Sequence, residues 1–160
     1  MKINKIKLLV ATVALGVLAT TVAAAQGDVT GGPSVNVPVT QLKYFDTGIG
    51  KKSGVGTLLA SPGHGDLQHG AHGTIIKMPA RFVSEIHTHT GEYWGVVISG
   101  VGVNGTPGSV DVPLPPGSYW SQKGGERHIT KCISSNECIF FISQSVKFDD
   151  IPDGPDGMKK

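Results

Sequence analysis

Residues 81–100 read RFVSEIHTHTGEYWGVVISG, and this stretch decides how the fold of the chain is interpreted. His87 and His89 lie two positions apart in a run rich in β-branched and aromatic residues, which favours a strand. In a strand, residues i and i+2 point to the same face. The two imidazoles would therefore stand side by side as a pair of metal ligands. The alternative interpretation is an ordinary exposed strand.

A third histidine lies on another predicted strand. His128 follows the segment PPGSYWSQKGGE (115–126), whose turn glycines are suited to bring a strand back across a barrel. The chain has six histidines, and three of them fall in these two places. The sequence therefore predicts that His87, His89 and His128 form one metal site.

The composition favours short strands joined by turns. The 160 residues, 16.7 kDa, have room for one ordinary domain. They include 23 Gly and 10 Pro. The two long stretches after the leader that lack both residues, 80–90 and 126–151, are rich in Ile, Val, Thr, Phe and His. With no internal repeat, we expect an all-β fold built as a single barrel.

The predicted strands are short and follow one another at a spacing of roughly 8–12 residues, with turn signals between them. The first strand-like piece spans 35–45, and 46–73 is the least regular region. Further strands are predicted at 74–78, 83–89, 92–100, 110–114, 117–122, 128–132 and 137–143.

The first 25 residues have the pattern of a secretory signal peptide. Three lysines precede an apolar run at 8–22, and Ala23-Ala24-Ala25 provides a cleavage site before Gln26. The apolar run, about 15 residues, is shorter than the ~20 that span a bilayer. We therefore expect a periplasmic or secreted protein that is free of the membrane once the leader is cleaved.

The charge balance disfavours a nucleic-acid partner. The whole chain has 14 Lys and Arg and 12 Asp and Glu, but three of the lysines lie in the leader. The remainder therefore has 11 basic and 12 acidic residues, whereas phosphate binding needs clustered positive charge.

Cys132 and Cys138 are the two cysteines of the chain, and they flank a short polar segment. An exported chain meets an oxidising compartment, so we expect a disulfide between mirrored positions of one hairpin. A pair of free buried thiols is the alternative.

The histidine pattern resembles that of the cupin superfamily. The first cupin motif, G-x5-H-x-H-x(3,4)-E-x6-G, is matched in register by His87, His89 and Gly100. The second, G-x5-P-x-G-x2-H-x3-N, is matched by Gly117, Gly125 and His128. The resemblance covers about residues 40–148 and implies a cupin-type β-barrel, the double-stranded β-helix or jelly roll.

Shorter segments resemble one uncharacterised bacterial cupin-like family more narrowly: PARF (79–82), YWGVVISG (93–100), LPPGSYW (114–120) and VKFDD (146–150). This closer resemblance implies a three-His metal site but no particular reaction. Because many cupins pair through strand exchange or sheet contacts, the superfamily resemblance also implies a homodimer.

Several positions depart from the motifs. Arg81 and Lys123 replace a glycine and a proline, and Cys132 replaces an asparagine. Tyr93 stands where the motif has its glutamate ligand. It is the candidate catalytic residue, as a phenolate ligand or as a hydrogen-bond donor to metal-bound water; otherwise it is barrel wall.

Two nearby carboxylates, Glu92 and Glu85, are candidates for an alternative metal ligand or for a group that orients one of the ligands. Glu92 is adjacent to the glutamate position, although strand alternation would turn it away from the site. Glu85 shares the parity of His87 and is the candidate that orients an imidazole from the second shell.

A site of three neutral imidazoles suits several divalent transition metals, namely Fe²⁺, Zn²⁺, Ni²⁺ and Cu²⁺. Three-His cupins include dioxygenases that cleave small organic substrates, so the resemblance implies a metal-dependent oxidoreductase acting on a small oxygenated molecule. The alternatives are a non-catalytic cupin that binds or senses a metal or small ligand, and a structural barrel without metal.

The remaining histidines and the domain boundaries complete the expectations. His64, His69 and His72 are interpreted as an exposed flexible loop, with a lid or an adventitious surface metal site as alternatives.

We predict a signal peptide at 1–25, a flexible segment at 26–39, the cupin barrel at 40–150 and a frayed tail at 151–160.

Overall fold

The structure, a computed structural model, describes residues 33–154. The predicted signal peptide, the first half of the predicted flexible segment and the end of the predicted tail lie outside the described residues. Within residues 33–154, no helix is long and apolar enough to cross a bilayer.

Ten strands and one 3₁₀ turn make up the regular structure of residues 33–154, which confirms the predicted all-β class. The turn spans Val39–Gln41. The strands are β1 (Phe45–Asp46), β2 (Leu59–Gly65), β3 (His72–Met78), β4 (His87–Thr88), β5 (Tyr93–Ser99), β6 (Gly102–Gly105), β7 (Tyr119–Gln122), β8 (Ile129–Cys132), β9 (Cys138–Gln144) and β10 (Ile151–Pro152).

One wall of the fold is a six-stranded antiparallel sheet with the order β1-β2-β3-β9-β5-β7. The other wall consists of two short pairs, β10-β4 and β6-β8. An isolated bridge between His87 and His128 joins β4 to the residue before β8, and a second bridge joins Val83 to Lys131. The two small pairs are therefore joined into one wall, which faces the six-stranded sheet.

The core lies between the two walls. Strand β5 alternates buried and exposed residues, so that Tyr93 and Val97 face inward while Trp94 and Val96 face outward. The buried cluster contains Met78, Phe82, Val97, Cys132, Cys138 and Phe140.

The predicted disulfide between Cys132 and Cys138 is confirmed, with the two Cα atoms 5.7 Å apart. The expected hairpin is wrong, because β8 pairs with β6 while β9 pairs with β3 and β5. The disulfide therefore links the last residue of β8, in the smaller wall, to the first residue of β9, in the six-stranded sheet.

Some predicted strands differ from the structure. In the predicted strand-like piece at 35–45, only Phe45 belongs to a strand, as the first residue of β1. Val35, Val37 and Val39 are exposed. The region predicted to be least regular contains β2, whose pairing with β3 shifts register between Pro62 and His64. A bulge at this point accommodates residues that read as a loop in the sequence.

The predicted strands at 83–89 and 110–114 are also shorter in the structure. The first is reduced to β4 and the Val83 bridge, and the second to a bridge between Leu114 and Gly102.

Candidate metal centre

The three histidines predicted to form one site converge on the inner face of the smaller wall. His87 begins β4, His89 follows its end, and His128 immediately precedes β8. His87 and His128 exchange both main-chain hydrogen bonds, at 3.1 and 3.0 Å. This pairing brings the His87 and His128 ring centroids to 4.1 Å, and the His89 ring lies 5.0 and 5.1 Å from them. All three residues are buried.

Main-chain carbonyls set the orientation of each ring. The Nδ1 of His87 lies 2.8 Å from the Glu85 carbonyl oxygen, and the Nδ1 of His128 lies 3.2 Å from the carbonyl oxygen of Glu126. The Nδ1 of His89 contacts the carbonyl oxygen of Asp149. A carbonyl can only accept, so each ring donates its Nδ1 proton and keeps a lone pair on Nε2.

The spacing of the rings fits a common ion. One ring nitrogen from each histidine lies within 4.8 Å of the other two, and no other group of His, Cys, Asp or Glu in residues 33–154 meets the same criterion. Three nitrogens at ~2.0–2.1 Å from one ion are about 3.3–3.6 Å apart in a tetrahedral or trigonal arrangement. The rings therefore need to move inward by less than about 1 Å to bind it.

Burial keeps the imidazoles of His89 and His128 neutral. Loss of solvation, followed by the neighbouring His87 and His89, lowers the pKa of His128 to about 3. Loss of solvation also lowers the pKa of His89. Neutral imidazole is the form that binds a metal ion, so the apolar surroundings favour the ligand state.

Tyr93 projects into the same space from the large sheet. Its hydroxyl donates to Asn104 Oδ1 at 3.2 Å and lies 3.4 Å from Nε2 of His128. Burial raises the pKa of Tyr93 to about 12, which favours the protonated phenol over the phenolate. Asn104 in turn donates to Gln122 Oε1 at 2.8 Å.

The two glutamates considered for supporting roles do not turn their carboxylates toward the histidines. Glu92 is exposed, as strand alternation leads one to expect. Glu85 is also exposed, and its carboxylate pairs with Lys52 at 2.8 Å. Glu85 does contact His87, but through its main-chain carbonyl, which any residue type could provide.

A segment near the C-terminal end of the described chain borders the site, and its role was missed in the sequence. Residues 148–153, here called the strap, run antiparallel to β4 through the pairs Ile151–Thr88 and Pro152–His87. The Phe148 ring lies 5.1 Å from the His89 ring. The acidic pair Asp149-Asp150 could have indicated this role, but in the sequence it is interpreted as part of an acidic tail.

A cavity of about 230 Å³ opens between the walls beside the three histidines. His87, His89 and Tyr93 lie at one side of it, and Asp150 also lines it. The rest of the lining is mostly apolar and includes Leu58, Ile76, Met78, Phe82, Trp120, Phe140, Ile142 and Phe148.

The second histidine group does not converge. The expectation of an exposed loop is wrong for His72, which is buried in β3 with Nδ1 3.0 Å from Thr74 Oγ1 and Nε2 3.3 Å from Gln144 Oε1. His69 is exposed and pairs with Asp66, and His64 is exposed beside Phe141.

The double-walled β-barrel with three inward histidines defines a cupin, as the sequence motifs predicted. Residues 51–154 match the family described as "Domain of unknown function (DUF4437)". The chain belongs to this family, and its fold is cupin-like. Among curated protein sequences, none matches the chain significantly.

Solved structures share the fold at low sequence identity. An RmlC-like cupin from Shewanella frigidimarina is 18% identical, with a TM-score of 0.53 over 70% of this chain and 91% of that one. The polyketide cyclase RemF from Streptomyces resistomycificus is 17% identical, with a TM-score of 0.59 over 72% and 82%. An acetylacetone dioxygenase from Acinetobacter johnsonii is also 17% identical, with a TM-score of 0.59 over 81% and 83%.

Proposed function

We propose that this protein is a metal-dependent cupin enzyme, dioxygenase-like in its chemistry, that acts on a small oxygenated molecule. The observation that carries the proposal is the commitment of all three Nδ1 protons to main-chain carbonyls. This arrangement leaves three Nε2 lone pairs directed away from the backbone, in a buried cluster.

His87, His89 and His128 are the proposed ligands of a divalent transition metal, with Fe²⁺, Zn²⁺, Ni²⁺ and Cu²⁺ as candidates. Bound there, such an ion supplies Lewis-acid polarisation of an oxygen donor or, if it is iron, activation of dioxygen. The hydrogen bonds from Nδ1 to the carbonyls fix the ring orientations and increase the basicity of the ligand nitrogens.

The cavity indicates the class of substrate. Its volume of about 230 Å³ is below the ~300–1,000 Å³ typical of drug-sized ligands, so a small molecule is expected. The apolar lining would hold a hydrocarbon part, and the oxygen of the substrate would face the histidines. Tyr93 is proposed to act as a catalytic residue. Its pKa of about 12 keeps the phenol protonated, and the hydroxyl would turn from Asn104 Oδ1 to donate a hydrogen bond to this oxygen.

The fold neighbours support this choice of chemistry. The Acinetobacter protein is described as an acetylacetone dioxygenase, and the Streptomyces protein as a polyketide cyclase. Acetylacetone is a small β-dicarbonyl, so we place β-dicarbonyls first among the substrates to be tested.

The test is metal analysis of the purified protein, followed by oxygen consumption with β-dicarbonyls, thiols and phenols after loading with Fe²⁺. We expect about one metal ion per chain and turnover of at least one class, with both abolished in His128→Ala. His69→Ala, which changes an exposed histidine, is the matched control and should retain both.

The principal alternative is a non-catalytic cupin that captures or senses a metal or small ligand. Stoichiometric Zn²⁺ with no turnover of any class would favour it. A chain that binds no metal, and whose unfolding free energy does not depend on added metal, would contradict both forms of the proposal.

We also propose that the protein is exported to the periplasm or secreted. The leader pattern at 1–25 and the disulfide between Cys132 and Cys138 support this location. The mass of the protein recovered from the periplasmic or culture fraction tests it, and a mature chain starting at Gln26 is expected.

A further inference from the structure

Asp150 is an acidic residue that neither the sequence motifs nor the three-histidine pattern identifies. Its Oδ1 lies 3.8 Å from Nε2 of His87, the ring nitrogen that is not engaged by the Glu85 carbonyl. The side chain is about one-fifth exposed, and it lines the cavity beside His87 and His89. A carboxylate oxygen is therefore placed at the histidine cluster from the opposite end of the chain.

The strap that carries Asp150 is anchored on both sides of it. The Phe148 amide donates to the Leu67 carbonyl oxygen at 2.9 Å, and the Asp153 amide donates to the Ile86 carbonyl oxygen at 2.9 Å. Between these anchors, Ile151 pairs with Thr88 in the β10–β4 ladder. Asp150 is thus held at a fixed place beside the end of β4, one residue before the pair of Ile151 with Thr88.

The other two acids of the strap are already engaged. Asp149 accepts a hydrogen bond from the Thr90 amide at 2.8 Å and another from the Thr90 hydroxyl. Asp153 pairs with Arg127, whose Nε donates at 2.8 Å. Within residues 33–154, no lysine or arginine pairs with the Asp150 carboxylate, and its one ion-pair partner within 4.0 Å is His87.

The separation fits a shared ion. A nitrogen at ~2.0–2.1 Å and a carboxylate oxygen at ~2.0–2.2 Å from one metal ion are at most about 4.3 Å apart, and about 3.4 Å apart in a tetrahedral site. The observed 3.8 Å to His87 lies within this range. Asp150 is outside the group whose ligand atoms all lie within 4.8 Å of one another, so its carboxylate would move closer to the other two histidines to share the ion. In the cupin motif an acidic ligand accompanies the histidines, but here Tyr93 occupies its position and is a protonated phenol.

We propose that Asp150 is the fourth protein ligand of the metal ion, an inference that rests on the proposed three-histidine site. The strap supplies an aspartate from the C-terminal side in place of the glutamate that the first motif lacks. The site then has three neutral ligands and one anionic ligand, which reduces the net charge of a bound divalent ion and its ligands from +2 to +1. One consequence is a tighter site with fewer open positions than three histidines alone would give.

The test compares metal binding by the full mature chain and its variants. The Kd for Zn²⁺ is measured by chelator competition, and the visible absorption of bound Co²⁺ reports the ligand set. In Asp150→Asn, which preserves the shape of the side chain, we expect the affinity to fall by about 10–100-fold and the Co²⁺ spectrum to change. Asp111→Asn removes an exposed carboxylate that pairs with Lys131, so it controls for the change in protein charge and should match the wild type.

The outcomes separate this proposal from the function on which it rests. Wild-type affinity and spectrum in Asp150→Asn, with binding lost in His128→Ala, would overturn the role of Asp150 and leave the three-histidine site standing. A wild-type chain that binds neither ion would overturn both. Thermal melting of the metal-free variants establishes that they fold, and Asp150→Glu, which keeps a carboxylate, should bind more tightly than Asp150→Asn whatever their relative stabilities.

Discussion

The imidazole of His89 donates its Nδ1 proton to the main-chain carbonyl of Asp149, a residue sixty positions later in the chain. This hydrogen bond connects the first motif to the strap that closes the barrel. The orientation of one proposed ligand is therefore set by a distant segment, whereas His87 and His128 are oriented by carbonyls two residues before them. Loosening the strap should disturb His89 more than the other two rings.

The first prediction concerns the side chain that holds the strap. Asp149→Ala removes two hydrogen bonds from Thr90 to a carboxylate but leaves the carbonyl that contacts His89. We expect the unfolding free energy to fall by about 1–3 kcal/mol, and the metal affinity to fall several-fold because the His89 ring is less well fixed. Urea denaturation and chelator competition measure the two effects. An unchanged affinity would mean that the strap does not position His89.

The second prediction concerns the disulfide. Replacing both Cys132 and Cys138 by alanine should lower the unfolding free energy by about 2 kcal/mol, because the unfolded chain loses a short closed loop. Calorimetry should give a Tm that is lower by roughly 6–12 °C in the variant than in the oxidised wild type. The wild type treated with reductant should show the same decrease relative to the untreated protein. A reductant that leaves the wild-type Tm unchanged would contradict this contribution.

The third prediction concerns a backbone conformation that favours glycine. Arg81 has φ of 60°, and it is the one residue other than glycine with a positive φ among residues 33–154. It also stands at the glycine of the first cupin motif, where the left-handed region costs a side chain roughly 1–2 kcal/mol. Arg81→Gly should therefore be about 1 kcal/mol more stable than Arg81→Ala, which loses the same charge but keeps the strain. Equal denaturation midpoints for the two variants would refute this explanation.

The fourth prediction concerns pH in the metal-free protein. Burial and the neighbouring histidines lower the pKa of His128 to about 3 in the folded state, against ~6.5 in the unfolded chain. Between these values the unfolded chain binds a proton that the folded chain does not, so stability decreases as the pH falls. This residue should contribute about 1.4 kcal/mol per pH unit, with full stability retained above about pH 6.5.

Urea denaturation in the presence of a chelator measures this slope. His128→Gln should show a shallower dependence between about pH 6 and pH 4, and His69→Gln, at an exposed site, should behave as the wild type. Parallel slopes in all three proteins would contradict a buried neutral His128.

The three-histidine arrangement was readable from the sequence because it depends on local rules. Two residues of a strand separated by one position share a face, and a glycine-rich turn returns the chain so that His128 pairs with His87. The all-β class followed from the same reasoning, since the stretches that lack Gly and Pro were rich in residues that favour strands.

The role of the strap and the position of β2 could not be predicted from the sequence, and the reason is the same for both. Asp149 and Asp150 acquire their roles from a pairing with β4 across about sixty residues, and no local pattern encodes it. Strand β2 contains Pro62 and Gly63, which read as a loop until antiparallel pairing with β3 accommodates them at a bulge. Val35, Val37 and Val39 show the converse, since their alternating pattern favours a strand and yet all three are exposed and lie outside the strands.

X-ray absorption spectroscopy of the zinc- or iron-loaded protein tests the central claim most directly. We predict first-shell scattering at ~2.0–2.1 Å with the outer-shell pattern of three imidazoles, reduced by one imidazole in His128→Ala. A spectrum without imidazole scattering, or one that His128→Ala leaves unchanged, would contradict a metal site at these three histidines.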